Sequence, residues 1–199
     1  MKKLLLLGIM FLGMGGVISA ADYEVDQKFT SVAELEGKRF VIVNETESKA
    51  IYDVNNQNLA YDTYAKAVTG TAYSWVLESL ADNADESVKD CYTLRLVKPD
   101  GTNHSFWGNS AVYLNSGSPT GFDGLFALAN GDQLGTDVKY GGVWEVEYVE
   151  SKGFTLRNKA IGGYFDGLGH RPSAAEPAYW TFCTLKEKAV EDTEDPGVK

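Results

Sequence analysis

The chain has 199 residues and carries 28 acidic against 18 basic side chains, which gives a net charge of -10. A chain this acidic, without any basic cluster, is repelled by phosphate backbones and by anionic lipid surfaces, so nucleic acid is excluded as a partner. The length suits one domain with a proper hydrophobic core.

Residues 1–21 have the three-part pattern of a secretory signal peptide. Two lysines precede an apolar run, and small residues precede Asp22, so that cleavage after Ala20 or Ala21 fits. The apolar run is short and interrupted by glycines, which makes it a poor membrane span. We therefore expect an exported protein, periplasmic or extracellular, with no membrane insertion after cleavage. Removal of the leader leaves 16 basic against 28 acidic residues and a net charge of -12.

The rest of the chain is predicted to be one all-β domain between two short flanks. Residues 22–34 are a lead-in, residues 35–188 form the domain, and residues 189–199 are an acidic, disordered tail. Within the domain, apolar residues alternate with polar ones, and Gly or Asn recurs every ten or so residues, which indicates short strands. Only 31–37 and 62–68 have the pattern of a short helix.

Three kinds of strand recur in the same order three times. The first kind is FVIVN (40–44), YTLRL (92–96) and FTLRN (154–158). The second is AIYDVN (50–55), AVYLNS (111–116) and GGYFDG (162–167), and the third, led by tryptophan, is WVLES (75–79), WEVEY (144–148) and WTFCT (180–184). Three copies of a unit too short to bury its own face predict a pseudo-threefold assembly around a shared core. The spacings are uneven, which excludes a solenoid or propeller but is tolerated in a barrel.

These strands resemble the β-trefoil family, in particular the ricin-type, lectin-like modules of exported Bacteroidetes proteins. The resemblance covers about residues 40–185, although the Gln-x-Trp signature of ricin-type modules does not precede any of the three tryptophans. It implies three pseudo-repeats in which the first and last strands close a six-stranded barrel and the middle strands form a hairpin cap. The expected core residues are Trp75, Trp144, Trp180, Phe40, Tyr92 and Phe154.

Enzyme signatures are scarce. The two histidines, His104 and His170, occur in no metal-ligand spacing, and there is no GxSxG elbow, P-loop or GxGxxG. The acidic segment 82–90 lacks the glycine and the terminal glutamate of an EF-hand loop. We therefore predict that the protein is not an enzyme and has no catalytic residue, no metal site and no cofactor.

Sugar recognition needs a carboxylate or amide that accepts hydrogen bonds from hydroxyls, together with an aromatic ring on a rigid frame. The resemblance implies that the polar groups come from the ends of the second strands and the rings from the hairpins that follow. The predicted ligand-binding residues are Asp53, Asn115, Asp166, Tyr61, Tyr64 and Phe122. Each also has a purely structural interpretation, because Asp and Asn close turns and the rings can simply cover a barrel end.

The functional hypothesis is an exported, non-catalytic carbohydrate-binding module whose partner is a glycan, either a polysaccharide or a glycoprotein sugar. The alternative is a secreted trefoil that binds protein, such as a protease inhibitor, through segment 97–110 or 116–142. Cys91 and Cys183 can form a disulfide in an exported protein, or each can serve as a small apolar strand residue.

Overall fold

The computed structural model describes residues 22–53, 59–104, 111–115, 128–130, 141–166 and 174–189. These residues form eleven strands and one short α-helix. The strands are β1 (Tyr23–Lys28), β2 (Arg39–Asn44), β3 (Lys49–Asp53), β4 (Leu59–Thr63), β5 (Ser74–Ser79), β6 (Tyr92–Val97), β7 (Val112–Leu114), β8 (Leu128–Asn130), β9 (Trp144–Val149), β10 (Gly153–Asn158) and β11 (Thr181–Glu187). The helix is α1 (Tyr64–Val68), and 3-10 turns cover Ala33–Leu35 and Glu86–Val88. The predicted all-β class is confirmed.

The first and last strands of the predicted repeats form antiparallel pairs, some within a repeat and some between neighbouring repeats. β11 pairs with β2, β2 with β5, β5 with β6, and β9 with β10. β6 reaches β9 at a single position, where Tyr92 lies opposite Trp144. β10 reaches the residue before β11 through a bridge between Phe154 and Trp180, with backbone hydrogen bonds of 2.7 and 2.8 Å. The pairing therefore narrows to single positions at these two places, and the sheet is not closed.

The middle strands form hairpins beside this sheet. β3 pairs with β4 over five residues, from Lys49 opposite Thr63 to Asp53 opposite Leu59. β7 pairs with β8 over three residues. In the third repeat the corresponding contact is one bridge between Tyr164 and Ala174. The hairpins become shorter from the first repeat to the third within the described residues.

Aromatic side chains fill the core. The five predicted core residues Phe40, Trp75, Trp144, Phe154 and Trp180 are each at most 3% exposed, which confirms that prediction, whereas Tyr92 is only half-buried. Phe182 is stacked between two of them, with ring centroids 4.6 Å from Phe40 and 4.3 Å from Phe154. Full burial of a side chain of this size stabilises the fold by about 1.5–3 kcal/mol, so these rings dominate the core.

Two of the three tryptophans bond to a carbonyl within their own repeat. Trp144 Nε1 donates to the carbonyl of Leu114 at 3.1 Å, and Trp180 Nε1 donates to the carbonyl of Phe165 at 3.2 Å. Each acceptor is the last apolar residue of the second strand type. Trp75 Nε1 is buried and has no hydrogen-bond partner among the described residues. The first repeat thus departs from the other two at this point.

The two predicted helical segments each contain one short turn of helix. α1 begins after Thr63, whose hydroxyl accepts a hydrogen bond from the backbone N–H of Lys66. Such a cap satisfies one of the donors that a helix start leaves unpaired. The 3-10 turn Ala33–Leu35 is anchored by Leu35, which is fully buried.

The lead-in is part of the sheet. β1 pairs with β11 from Tyr23 opposite Glu187 to Lys28 opposite Cys183, with one irregularity between Val25 and Lys28. Beyond the end of the pairing, the backbone N–H of Lys188 donates to the carbonyl of Asp22 at 2.8 Å. The two ends of the described chain therefore lie side by side.

Candidate functional site

Asp53, the predicted sugar ligand of the first repeat, lies inside the protein. Its backbone is tied to the segment before β5, because its N–H donates to Ala72 and its carbonyl accepts from Thr71. Its side chain is 0% exposed, and Oδ2 lies 2.8 Å from Nε2 of His104, which is itself 1% exposed. Neither ring nitrogen of His104 forms a directed hydrogen bond with a described group, so the contact is a close carboxylate–imidazole pair. This carboxylate does not face solvent.

His104 belongs to the second repeat and follows β6 in the chain. A tight turn brings the chain back after β6, and Gly101 adopts φ +85 there, a conformation that residues with a Cβ rarely adopt. The N–H of His104 then donates to the carbonyl of Leu96 at 3.2 Å. No sequence pattern predicts this pairing, because Asp53 and His104 are far apart along the chain and match no motif.

The other two predicted polar ligands differ in exposure. Asn115 is 2% exposed at the end of β7, whereas Asp166 is half-buried and follows Phe165. Asp166 is therefore the one of the three second-strand residues with a substantial share of its surface open to solvent.

The predicted aromatic ligands occupy packing positions where they are described. Tyr61 is half-buried, with its ring edge-on to Trp180 at 6.0 Å and Lys49 Nζ 5.0 Å from the ring centroid. Tyr64 is 7% exposed at the start of α1. Burial raises the pKa of each of these two phenols to about 12. Phe122 lies outside the described residues. Asp53, Asn115 and Tyr64 are buried, so the members of the predicted set that are described do not form one open site.

An open groove of about 640 Å³ lies on another part of the surface, between the 3-10 turn and β5. Val32, Ala33, Glu36 and Gly37 form one side, Val76, Leu77, Glu78 and Ser79 form the other, and Tyr92 completes the lining. Its size falls within the range of about 300–1,000 Å³ that is usual for small-ligand clefts.

The local chain geometry explains why this groove exists. Buried Leu35 anchors the turn, and the N–H of Lys38 donates to its carbonyl at 3.0 Å. Gly37 adopts φ +65, which allows the chain to reverse before β2. β2 pairs with β5 only as far as Val76. Beyond that point, the neighbour of β5 on this side is the 3-10 turn, which reaches β5 through the bridge between Glu36 and Leu77. The gap beyond the end of β2 is the groove.

Glu78 is the best-anchored charged group of the groove. Its Oε1 accepts from Nε of Arg95 at 2.6 Å, and Nη1 of Arg95 donates to Oδ1 of Asn103. Tyr113 lies against the same pair, and burial, followed by the charge of Glu78, raises the pKa of its phenol. A carboxylate held in this way keeps one orientation, whereas Glu36 on the opposite side is exposed.

Two smaller pockets, of about 200 and 260 Å³, lie elsewhere on the described surface. The first is crossed by an ion pair between Lys28 Nζ and Glu45 at 2.5 Å. The second is lined partly by Cys183, a free and buried thiol whose pKa burial raises to about 12. Cys91 is also a free, buried thiol, so the two cysteines do not form a disulfide. The first pocket also has an exposed carboxylate, Glu45, and a half-buried ring, Tyr148, but Glu45 is paired with Lys28 and the volume is below the usual range for small-ligand clefts. No carboxylate lines the second pocket.

Within the described part of the chain, no cluster of His, Cys, Asp or Glu is arranged to hold a metal ion. The described helices include none that is long and apolar enough to cross a membrane. Comparisons with protein-family profiles, with curated protein sequences and with solved structures find no match to this chain. The groove and the repeat pattern are therefore the observations that bear on function.

Proposed function

We propose that the chain is a β-trefoil in which the six first and last strands of the repeats surround the aromatic core. The ordered pairing from β11 through β2, β5, β6, β9 and β10 supports this, together with the bridge between Phe154 and Trp180. The equivalent hydrogen bonds of Trp144 and Trp180 support a common origin of the second and third repeats.

On this frame, we propose an exported, non-catalytic carbohydrate-binding module whose ligand occupies the groove beside β5. The observation that carries the proposal is one open space of about 640 Å³ that is lined by Tyr92, Ser79 and the acidic residues Glu36 and Glu78. Sugars have an apolar face and an edge of paired hydroxyls. An aromatic ring covers the first, and carboxylates accept hydrogen bonds from the second.

The groove replaces the second-strand ends as the proposed place of contact. Asp53 and Asn115 are at most 2% exposed, and a ligand cannot reach either side chain without displacing the chain around it. Glu36 needs no such movement, because it is exposed beside the groove.

The test is a binding screen of residues 22–199 against plant and mucin glycans, with two tyrosine variants. Tyr92→Leu retains apolar bulk but removes the flat ring, and we expect it to abolish or strongly weaken any binding. Tyr148→Leu is the matched control, because Tyr148 is a half-buried barrel-strand tyrosine outside the groove. Circular dichroism and thermal unfolding establish that both variants are folded.

Either of two results would contradict the proposal. One is glycan binding that survives Tyr92→Leu but is lost in Tyr148→Leu, which would move the site away from the groove. The other is silence across the whole panel, which would shift the function to a protein partner. Of the two segments that would carry that alternative, 97–110 is described as far as residue 104, and 116–142 lies largely outside the described residues.

A further inference from the structure

Basic side chains without an ion-pair partner gather at one corner of this acidic protein. Most lysines and arginines of the described chain contact a carboxylate. Among the described residues, the exceptions are Lys38, Arg39, Lys98 and Lys152. Lys38 precedes Arg39, and Lys98 begins the turn that Arg39 contacts. Arg39 also lines the pocket of about 260 Å³, which we call the Arg39 pocket.

The turn after β6 holds the guanidinium of Arg39 in place. Nη1 donates to the carbonyl of Pro99 at 3.2 Å. A Cβ at Gly101 would lie 3.1 Å from the same nitrogen, so the guanidinium packs closely against the turn where there is no side chain. The other nitrogens of the guanidinium form no hydrogen bond with the described residues. A planar guanidinium with free N–H groups matches the two oxygens of a carboxylate.

Strand alternation gives the orientation of the side chains that line the pocket. Phe40 points into the aromatic core, so its neighbours Arg39 and Val41 face away from that core on β2. Trp75 also points into the core, so Ser74 faces away from it on β5. β2 and β5 are neighbours in the sheet. The three outward side chains therefore share the face on which the pocket lies.

The hydroxyl of Ser74 is a second polar group of the pocket. Ser74 is only 9% exposed and lines the pocket. No described residue forms a hydrogen bond with its hydroxyl. Because buried hydroxyls are normally hydrogen-bonded, an unbonded one beside a pocket is a donor that a ligand can satisfy.

The described lining of the pocket carries no negative charge that would oppose an anionic ligand. It contains no carboxylate. The thiol of Cys183 stays neutral, because burial raises its pKa to about 12. Asp100 belongs to the turn that Arg39 contacts, but its carboxylate accepts hydrogen bonds from the N–H and the hydroxyl of Thr102.

We propose that the Arg39 pocket binds the carboxylate of a uronic acid unit at the end of a glycan. Arg39 and Ser74 donate to the carboxylate, and Tyr73 and Leu185 cover the apolar side of the sugar ring. The volume is just below the range of about 300–1,000 Å³ that is usual for whole ligands, so it suits one sugar unit. The net charge of -10 repels sulfated or polyuronic chains and favours a ligand with one carboxylate. This site is separate from the groove beside β5.

The experiment compares two sugars that differ only in the carboxylate. Methyl glucuronide and methyl glucoside are titrated into isotope-labelled residues 22–199, and two-dimensional NMR follows the protein signals. We expect the glucuronide to shift the Nε–H signal of Arg39 and the backbone N–H signal of Ser74, and the glucoside to leave both unchanged. The affinity for the glucuronide should fall when salt is raised to about 0.3 M, because exposed charge pairs are screened.

Four variants locate the effect. Arg39→Gln should weaken binding of the glucuronide at least about tenfold, because it removes the charged donor. Arg39→Lys should restore only part of the affinity, since an ammonium group lacks the planar fork. Ser74→Ala should weaken binding about fivefold. Lys152→Gln is the matched control, because Lys152 also forms no ion pair with a described residue and lies outside the pocket. Circular dichroism and thermal unfolding establish that the variants are folded.

Several results would overturn this assignment. Equal shifts with the glucuronide and the glucoside would show that the carboxylate is not recognised. Equal losses in Arg39→Gln and Lys152→Gln would show that only overall charge matters. Tighter binding of N-acetylglutamate amide than of the glucuronide would assign the pocket to an acidic peptide. Tyr92→Leu should leave glucuronide binding unchanged even where it abolishes binding in the groove, and a loss of both would show that the two sites are not separate.

Discussion

The buried pair of Asp53 and His104 gives a sharp prediction, because each side chain is at most 1% exposed and the paired atoms are 2.8 Å apart. Replacing one member by alanine removes this contact from a polar side chain that stays buried, which typically costs about 1–3 kcal/mol. Replacing both removes the pair together, so the double variant should lose clearly less stability than the sum of the two single variants. We expect a coupling energy of at least about 1 kcal/mol.

The assay is urea unfolding of residues 22–199, followed by far-ultraviolet circular dichroism. Asp166→Ala is the control, because this half-buried aspartate should cost much less than Asp53→Ala. Losses at Asp53 and His104 that add within about 0.5 kcal/mol would refute the pairing. A fully stable Asp53→Ala variant that no longer binds glycan would refute the buried placement and restore Asp53 as a ligand.

Three further predictions concern packing and reactivity. Trp144→Phe should cost about 1–3 kcal/mol more than Trp75→Phe in the same unfolding assay, because Trp144 donates to a buried carbonyl whereas Trp75 has no acceptor in the described part of the chain. Equal losses would contradict this. Gly153→Ala should lower the thermal unfolding midpoint sharply, because Gly153 has φ +114 and an added Cβ would lie 2.5 Å from the carbonyl oxygen of Trp180; an unchanged midpoint would show that the bridge there can shift. Cys183 should react with a thiol reagent at mildly alkaline pH only after denaturant is added, since a pKa of about 12 leaves almost no thiolate in the folded protein; rapid native labelling would contradict its burial.

The strands could be predicted because their signal is local. Alternating apolar residues led by Phe40 or Trp144 determine which face of a strand is buried, whatever the rest of the chain does. The same local signal predicted α1, where Thr63 caps a short helical run. Tyr92 fits the pattern equally well but lies beside the groove and is only half-buried.

The candidate site could not be predicted because it depends on where strands end relative to one another. The groove exists because β2 ends before the second half of β5. The alternation of apolar residues in each strand does not determine where one strand ends relative to its neighbour. The carboxylate of Asp53 was a reasonable ligand on local grounds. Inside the protein it contacts His104, a residue of a different repeat that no local pattern relates to it.

The pairing of β1 with β11 has a consequence for how the chain can be connected. Asp22 and Lys188 are joined by a backbone hydrogen bond of 2.8 Å and by a contact of 2.5 Å between Lys188 Nζ and Asp22 Oδ2. A linker of a few residues could therefore join these two positions, and new termini could be opened in an exposed turn such as the one at Ser151. A circular permutant built in this way would keep the contacts between the strands and would change which repeat is synthesised first.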